Sequence, residues 1–99
     1  MVPRNHKPEA ELARALQLAA TQIKVGAHYA HYKNPDLLYV VVGHVILEAT
    51  DEPAILYQAQ YGKKITYARA LSIWLETVEW QGKTVPRFVK TKDPADGTH

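Results

Sequence analysis

The stretch AILYQAQY, residues 54–61, has the clearest strand pattern in this 99-residue chain. Successive side chains of a strand point to opposite faces, so residues two apart share a face. One face of this stretch carries the apolar and aromatic residues Ile55, Tyr57, Ala59 and Tyr61. The two glutamines between them fall on the other face. This alternation predicts a half-buried strand and favours a mainly β fold.

The sequence on both sides of this strand is rich in Tyr, Val and Ile and is interrupted by short turn signals. The turn signals are NPD at 34–36, EATDEP at 48–53, YGKK at 61–64 and QG at 81–82. They divide the chain into predicted strands at 28–33, 38–47, 54–61, 65–70, 77–80 and 83–88, with one helical turn at 71–76. Gly43 is expected to mark a bulge in the second strand. This pattern is typical of a small antiparallel sheet or barrel.

Residues 8–24 show a helical period instead. The apolar residues Leu12, Leu16, Ala19 and Ile23 follow one another at spacings of four, three and four, which places them on one helix face. Pro8 suits the first helical position, where no N–H donor is needed. The apolar face either covers an open end of the barrel or forms a weak homodimer surface. Packing onto the barrel is preferred, because an exposed apolar stripe is unfavourable in a monomer.

A chain of this length has room for one domain with a thin core. The net charge is only +2, and cysteine is absent, which excludes disulfides, thiolate nucleophiles and zinc sites built on sulfur. No apolar run approaches the roughly 20 residues that span a bilayer, so a cytoplasmic protein without membrane contact is expected. We expect an N-terminal helix packed on the barrel at 1–26, the barrel at 27–90 and a flexible polar tail at 91–99.

Candidate catalytic and metal sites are weak in this sequence. His28 and His31 are three residues apart, which sends them to opposite faces of a strand. The carboxylates of residues 48–52 fall in a solvated loop, an environment that does not make one group an acid and another a base. Ser72 has no nucleophile-elbow motif, and no glycine-rich phosphate loop is present. The sequence therefore predicts no catalytic residue, no metal and no cofactor.

Basic and aromatic residues are concentrated in the second half of the chain. Residues 60–92 hold seven Lys and Arg against two Glu, whereas residues 34–59 hold four acidic residues and no Lys or Arg. Cations interleaved with rings suit single-stranded nucleic acids, and aromatic grooves on small barrels accept extended peptides. The candidate binding residues are His31, Tyr32, Tyr61, Lys63, Arg69, Trp74 and Arg87. Alternatively, several of these rings form the core of a chain with one Phe and one Met.

Arg87 has two interpretations. In TVPRF, residues 84–88, Pro86 fixes an extended backbone and Arg87 offers a planar fork of donors to a ligand. The guanidinium could instead stack on a ring and pair with Glu76 or Glu79, which would hold the C-terminal arm on the barrel. The structural interpretation is favoured.

Several blocks, in order, resemble a known family. HYKN at 31–34, YQAQYG at 57–62, Arg69 and WLETVEWQGKTVPRF at 74–88 are similar to the small bacterial domain-of-unknown-function family 1653. The likeness covers about residues 29–88. It implies an SH3-like barrel of about five short strands and no established activity. Departures are Tyr67 in place of Trp, Ala70 in place of Pro and Leu47 in place of His, so any chemistry through that histidine is not inherited.

The leading hypothesis is a non-enzymatic binding module that recognises a peptide, a protein partner or a small anionic ligand through an aromatic and basic groove. A barrel that binds single-stranded RNA or DNA is the alternative, and steep salt dependence would distinguish it. A small hydrolase-like enzyme is the third hypothesis, and a strongly shifted histidine titration would be its sign.

Overall fold

A computed structural model of the chain describes residues 6–92. The helices are α1 (Glu9–Gln22) and α2 (Leu71–Trp74). The strands are β1 (His28–His31), β2 (Asn34–Ile46), β3 (Pro53–Ala59), β4 (Thr66–Ala70), β5 (Thr77–Trp80), β6 (Lys83–Pro86) and β7 (Phe88–Thr91). The mainly β class with one helix ahead of the strands is confirmed, and none of the helices in the described range is long and apolar enough to cross a membrane.

The strands form two antiparallel sheets. Five of them are hydrogen-bonded in the order β4-β3-β2-β1-β7, and β5 and β6 form a separate hairpin. No hydrogen-bonded ladder joins β4 to β7 in the part of the chain that the structure describes, so the expected barrel is not closed. Each of these two strands is an edge of the main sheet.

The main sheet curls until its two edges approach each other. The guanidinium carbon of Arg69, on β4, lies 5.2 Å from the ring centroid of Phe88, on β7. We call the face that carries Phe88, Ile55 and Tyr57 the inner face, because all three side chains are buried there. The core cluster on this face consists of Ile23, Ala27, Tyr29, Val41, Ile55, Tyr57, Trp74 and Phe88.

Helix α1 packs against β2 and β3. The predicted apolar face points to the sheet: Ala19 is fully buried, and Ile23, just after the helix, is 5% exposed. The imidazole Nε2 of His44 on β2 lies 2.5 Å from the carbonyl oxygen of Ile23 and fixes the helix end. Leu18 stays 60% exposed on the opposite side of the helix.

The turns differ in part from those predicted. The segment NPD is not a turn, because β2 already begins at Asn34 and the chain reverses at 32–33. Gly43 does mark a bulge, since the β2–β3 register shifts between Val41 and Gly43. The QG turn is also confirmed: Gln81 and Gly82 both have positive φ, as a two-residue hairpin loop requires. Thr91 closes β7 opposite His28, while residues 93–99 of the predicted tail lie outside the described residues.

Candidate anion-binding surface

The curl of the sheet brings two predicted binding residues together at one end of the inner face. His31 is the last residue of β1 and lies directly opposite Phe88 on β7. Its imidazole meets the edge of the Phe88 ring, with ring centroids 5.5 Å apart. Arg69 reaches the same ring from β4. His31 and Arg69, which are 38 residues apart in sequence, therefore both contact the Phe88 ring.

His31 reports the local electrostatics. Burial lowers the pKa of His31, and the positive charges of Arg69, Arg87 and Lys33 lower it further. Contacts place these residues together as well: the Lys33 backbone N–H donates to Nδ1 of His31, and the Arg87 carbonyl oxygen accepts from the N–H of the neighbouring Tyr32. We call His31, Lys33, Arg69 and Arg87 the cationic cluster. Because the lowered pKa keeps the imidazole neutral at pH 7, three of its four members carry the positive charge.

Arg87 has one carboxylate partner. Its Nη2 donates a 2.8 Å hydrogen bond to Oε1 of Glu76, as one of the two interpretations of TVPRF predicts. The backbone supports the same pairing, since the Arg87 N–H donates to the Glu76 carbonyl oxygen. Its Nε atom is buried and has no hydrogen-bond partner. Arg87 therefore holds the C-terminal arm while one of its donors is left unsatisfied.

Arg69 is oriented by rings alone. Its Nε donates to the Tyr57 hydroxyl at 3.3 Å, and its guanidinium lies over Phe88. No acidic side chain in residues 6–92 forms an ion pair with Arg69 or Lys33. A planar guanidinium packed on an aromatic ring keeps its forked donors in a fixed direction. No acidic group of the described residues therefore uses the forked donors of Arg69.

Tyr32 and Trp80 form an aromatic rim beside the cluster. The two rings meet edge to face at 5.2 Å, and both are half-buried. The ring of His31 lies 4.6 Å from that of Tyr32, and the Lys33 ammonium lies 5.9 Å from it. Trp80 is not among the seven candidate binding residues chosen from the sequence. Its position on β5, one residue before the QG turn, gives no signal that the hairpin places it against β1.

Trp74 was predicted to contact a ligand, but the structure places it in the core. Only 3% of the residue is exposed. Its ring stacks on Phe88 with centroids 3.9 Å apart and meets Tyr29 and Tyr57 edge to face. The short helix α2 carries Trp74 over the inner face, where apolar burial outweighs any exposed role. Trp74 therefore supports the cluster from beneath and offers no surface to a ligand.

Tyr61 and Lys63 lie away from the cationic cluster, at the turn between β3 and β4. The hydroxyl of Tyr61 is hydrogen-bonded to that of Tyr39, and the two rings meet edge to face at 5.5 Å. Burial raises the pKa of Tyr39, and the hydrogen bond to Tyr61 raises it further. Lys63 is exposed in the turn. The structure thus divides the seven predicted residues into a cluster with its rim, a core tryptophan and a separate turn.

The described residues contain no group of three His, Asp or Glu side chains arranged to hold a metal ion. No pocket is found within residues 6–92 either. An open, electropositive surface with fixed arginine donors is suited to binding an anion.

Comparison with known proteins agrees with this description of the fold. The sequence profile of a family described as a protein of unknown function, DUF1653, matches residues 27–90. A crystal structure of a DUF1653 protein from Bordetella bronchiseptica is similar to this chain at 31% sequence identity and a TM-score of 0.59. The likeness covers 70% of this chain and 87% of the other. No protein with a curated description matches. The matched residues include the whole cationic cluster and leave out α1.

Proposed function

We propose that this chain, which belongs to the DUF1653 family of proteins of unknown function, is a binding module for a protein partner that presents an acidic side chain to the cationic cluster. The observation that carries the proposal is the charge imbalance at His31. Arg69 and His31 both contact the Phe88 ring, and burial together with the charges of Arg69, Arg87 and Lys33 lowers the pKa of this histidine. Glu76 is paired with only one of these three cations. An uncompensated cation cluster in a folded protein is unfavourable unless a ligand or counter-ion neutralises it.

A partner with carboxylates fits this surface better than a single-stranded nucleic acid. Nucleic-acid binding of that kind uses exposed rings on which bases stack. Trp74, Phe88 and Tyr57 are buried, and Tyr61 lies at a different end of β3 from Arg69. The exposed rings near the cluster are the half-buried Tyr32 and Trp80, together with Tyr67, which is 43% exposed on the same face of β4 as Arg69. Planar carboxylates, in contrast, match the fixed fork of Arg69 directly.

The proposal is tested with glutarate, a small dicarboxylate, added to the isotope-labelled full chain at constant ionic strength. Saturable shifts of the His31 and Phe88 amides and of the Arg69 side-chain Nε–H are expected. Arg69→Gln should weaken the interaction at least about tenfold, since a charge-assisted forked contact is lost. Arg14→Gln, which removes an exposed arginine of α1, should leave the affinity unchanged.

Two further variants separate charge from geometry. Arg69→Lys keeps the charge but loses the fork, so an affinity between those of the wild type and Arg69→Gln is expected. Glu76→Gln removes the internal partner of Arg87 and should tighten glutarate binding. Shifts that never saturate, or equal weakening by Arg69→Gln and Arg14→Gln, would overturn the proposal. Salt-sensitive shifts with oligothymidylate and none with glutarate would replace it with nucleic-acid binding.

A further inference from the structure

Within residues 6–92, strand β4 pairs only with β3, so its other edge carries backbone groups without a strand partner. The Ala59 N–H donates to the Ile65 carbonyl oxygen, so this directly opposite pair is hydrogen-bonded. Hydrogen-bonded and non-bonded pairs alternate along an antiparallel ladder. Tyr67 and Arg69 therefore bond back to β3, and the N–H and C=O groups of Thr66 and Ala68 point away from the sheet. The side chains of Thr66 and Ala68 are exposed on the outer face.

The free edge of β7 has the opposite arrangement. The Tyr32 N–H donates to the Arg87 carbonyl oxygen, which makes that opposite pair a bonded one. By the same alternation, the backbone groups of Phe88 and Lys90 point away from β1. Their side chains lie on the inner face, because Phe88 is part of the core cluster.

The two edges are related by direction as well. Every neighbouring pair in the order β4-β3-β2-β1-β7 is antiparallel, so β4 and β7, at its two ends, run the same way. A single strand antiparallel to both could therefore lie between them. A residue of that strand whose backbone is hydrogen-bonded to Ala68 would place its side chain on the outer face. The next residue would place its side chain on the inner face, and its backbone would be hydrogen-bonded to Phe88 or Lys90. This alternation is the one that the pleat of a strand requires.

From this arrangement we infer that the partner binds as an extended strand inserted between β4 and β7, which would complete the open barrel. The inference rests on the proposed function, because the inward-facing side chains of the inserted strand would lie beside Phe88, Arg69 and His31. Charge complementarity then selects an acidic residue at an inward position. The occupant is an acidic, β-forming segment of another protein without proline at the paired residues.

The composition of the β4 edge supports this occupant. Natural proteins protect exposed strand edges with lysine, proline or a covering element. Strand β4, TYARA, has neither lysine nor proline, and its one charged side chain, Arg69, points to the inner face. An unprotected edge beside an unpaired arginine is suited to a strand that brings its own carboxylate.

The test selects displayed random peptides of about ten residues on the immobilised full chain. Sequences with acidic and β-branched residues in alternation are expected. The best sequence is then synthesised in two forms, one with a backbone N-methyl group at a residue predicted to bond to Ala68, the other with it at a terminal residue. The first should bind at least about tenfold more weakly than the second. Hydrogen exchange at Ala68 and Lys90 should slow with the second peptide only.

The outcomes separate the two proposals. Equal affinity of the two methylated peptides, without slowed exchange at β4 and β7, would overturn strand insertion while leaving anion binding intact. Strand insertion would also be overturned if the selection enriched proline-rich or helical peptides, or enriched no peptide, while glutarate still shifted the His31 amide. Loss of the glutarate response would overturn the proposed function itself.

Discussion

Asp51 and the cationic cluster differ in how completely the rest of the chain pairs their charges. Asp51 lies in the loop between β2 and β3 that was predicted to be solvated, but it is only 3% exposed. One of its oxygens lies 2.6 Å from Nδ1 of His6, and the other accepts a 2.8 Å hydrogen bond from the Lys7 backbone N–H. The carboxylate is thus satisfied by the chain itself and ties the segment ahead of α1 to the sheet.

The cationic cluster is less completely paired. Arg87 shares Glu76 but keeps a buried Nε without a partner, and Arg69 has only a phenol and a ring. Buried charges contribute to the fold when they are fully paired, as Asp51 is. Incomplete pairing at an accessible surface is a feature of binding sites. The contrast supports a structural role for Asp51 and agrees with the binding role proposed for the cluster.

The largest expected effect tests whether Trp74 belongs to the core or to the ligand-binding surface. Trp74→Ala should reduce the free energy of unfolding by about 3–5 kcal/mol, because it leaves a cavity under Phe88, Tyr29 and Tyr57. Trp74→Phe should reduce it less, and this variant should still bind glutarate. Denaturant unfolding measures both. A Trp74→Ala variant that remained stable but failed to bind glutarate would indicate that Trp74 contacts the ligand.

The next effect tests the structural role of Asp51. Asp51→Ala should cost about 2–3 kcal/mol, since the Lys7 N–H loses its charged acceptor. The residue has φ of 62°, a conformation that asparagine tolerates better than alanine. Asp51→Asn should therefore cost less than Asp51→Ala. Unfolding curves, together with hydrogen exchange of α1, provide the measurement. Unchanged stability combined with altered glutarate affinity would contradict the assignment.

The smallest effect concerns pH. The pKa of His31 lies below its ordinary value of 6.5, so near and below that pH the unfolded chain binds a proton that the folded chain does not. The contribution of His31 to stability is therefore present above pH 6.5 and is lost as the pH falls through the lowered pKa. His31→Gln should flatten the decrease in stability from about pH 7.5 to about pH 5.5.

The same histidine reports on Arg69. The pKa of His31, followed by NMR of its ring, should rise in Arg69→Gln and stay low in Arg69→Lys, because only the second variant keeps the charge. Glutarate should raise it in the wild type, since a bound anion favours the imidazolium form. If the pKa of His31 changed neither in Arg69→Gln nor on addition of glutarate, Arg69 would lie outside the cluster.

Local patterns in the sequence predicted most of the elements. The period of four, three and four residues predicted α1, and the alternation at 54–61 predicted β3. The QG pair predicted either a hairpin or a strand followed by an extended arm, and the structure shows the hairpin of β5 and β6. The error at NPD has a local cause. Its signal, Asn-Pro-Asp, is common in turns, yet Pro35 also suits the exposed start of a strand.

The candidate site was predictable only in part. The sequence predicted that Arg87 pairs with Glu76 or Glu79, and Glu76 is the partner in the structure. The concentration of cations in the second half was visible from composition. The division of the aromatic residues was not. Trp74 and Trp80 look alike in sequence, but α2 turns one into the core and the hairpin brings the other to Tyr32.

The sequence by itself determined the mainly β class, the helix and the excess of cations, because periodicity, turn chemistry and charge are properties of neighbouring residues. Only the tertiary structure decided that β4 and β7 are not paired with each other within residues 6–92 and that Arg69 and His31 both contact Phe88. These facts depend on how far a five-stranded sheet curls. Sheet curvature arises from the summed twist of many residue pairs and from packing on α2, and no single stretch of sequence records it.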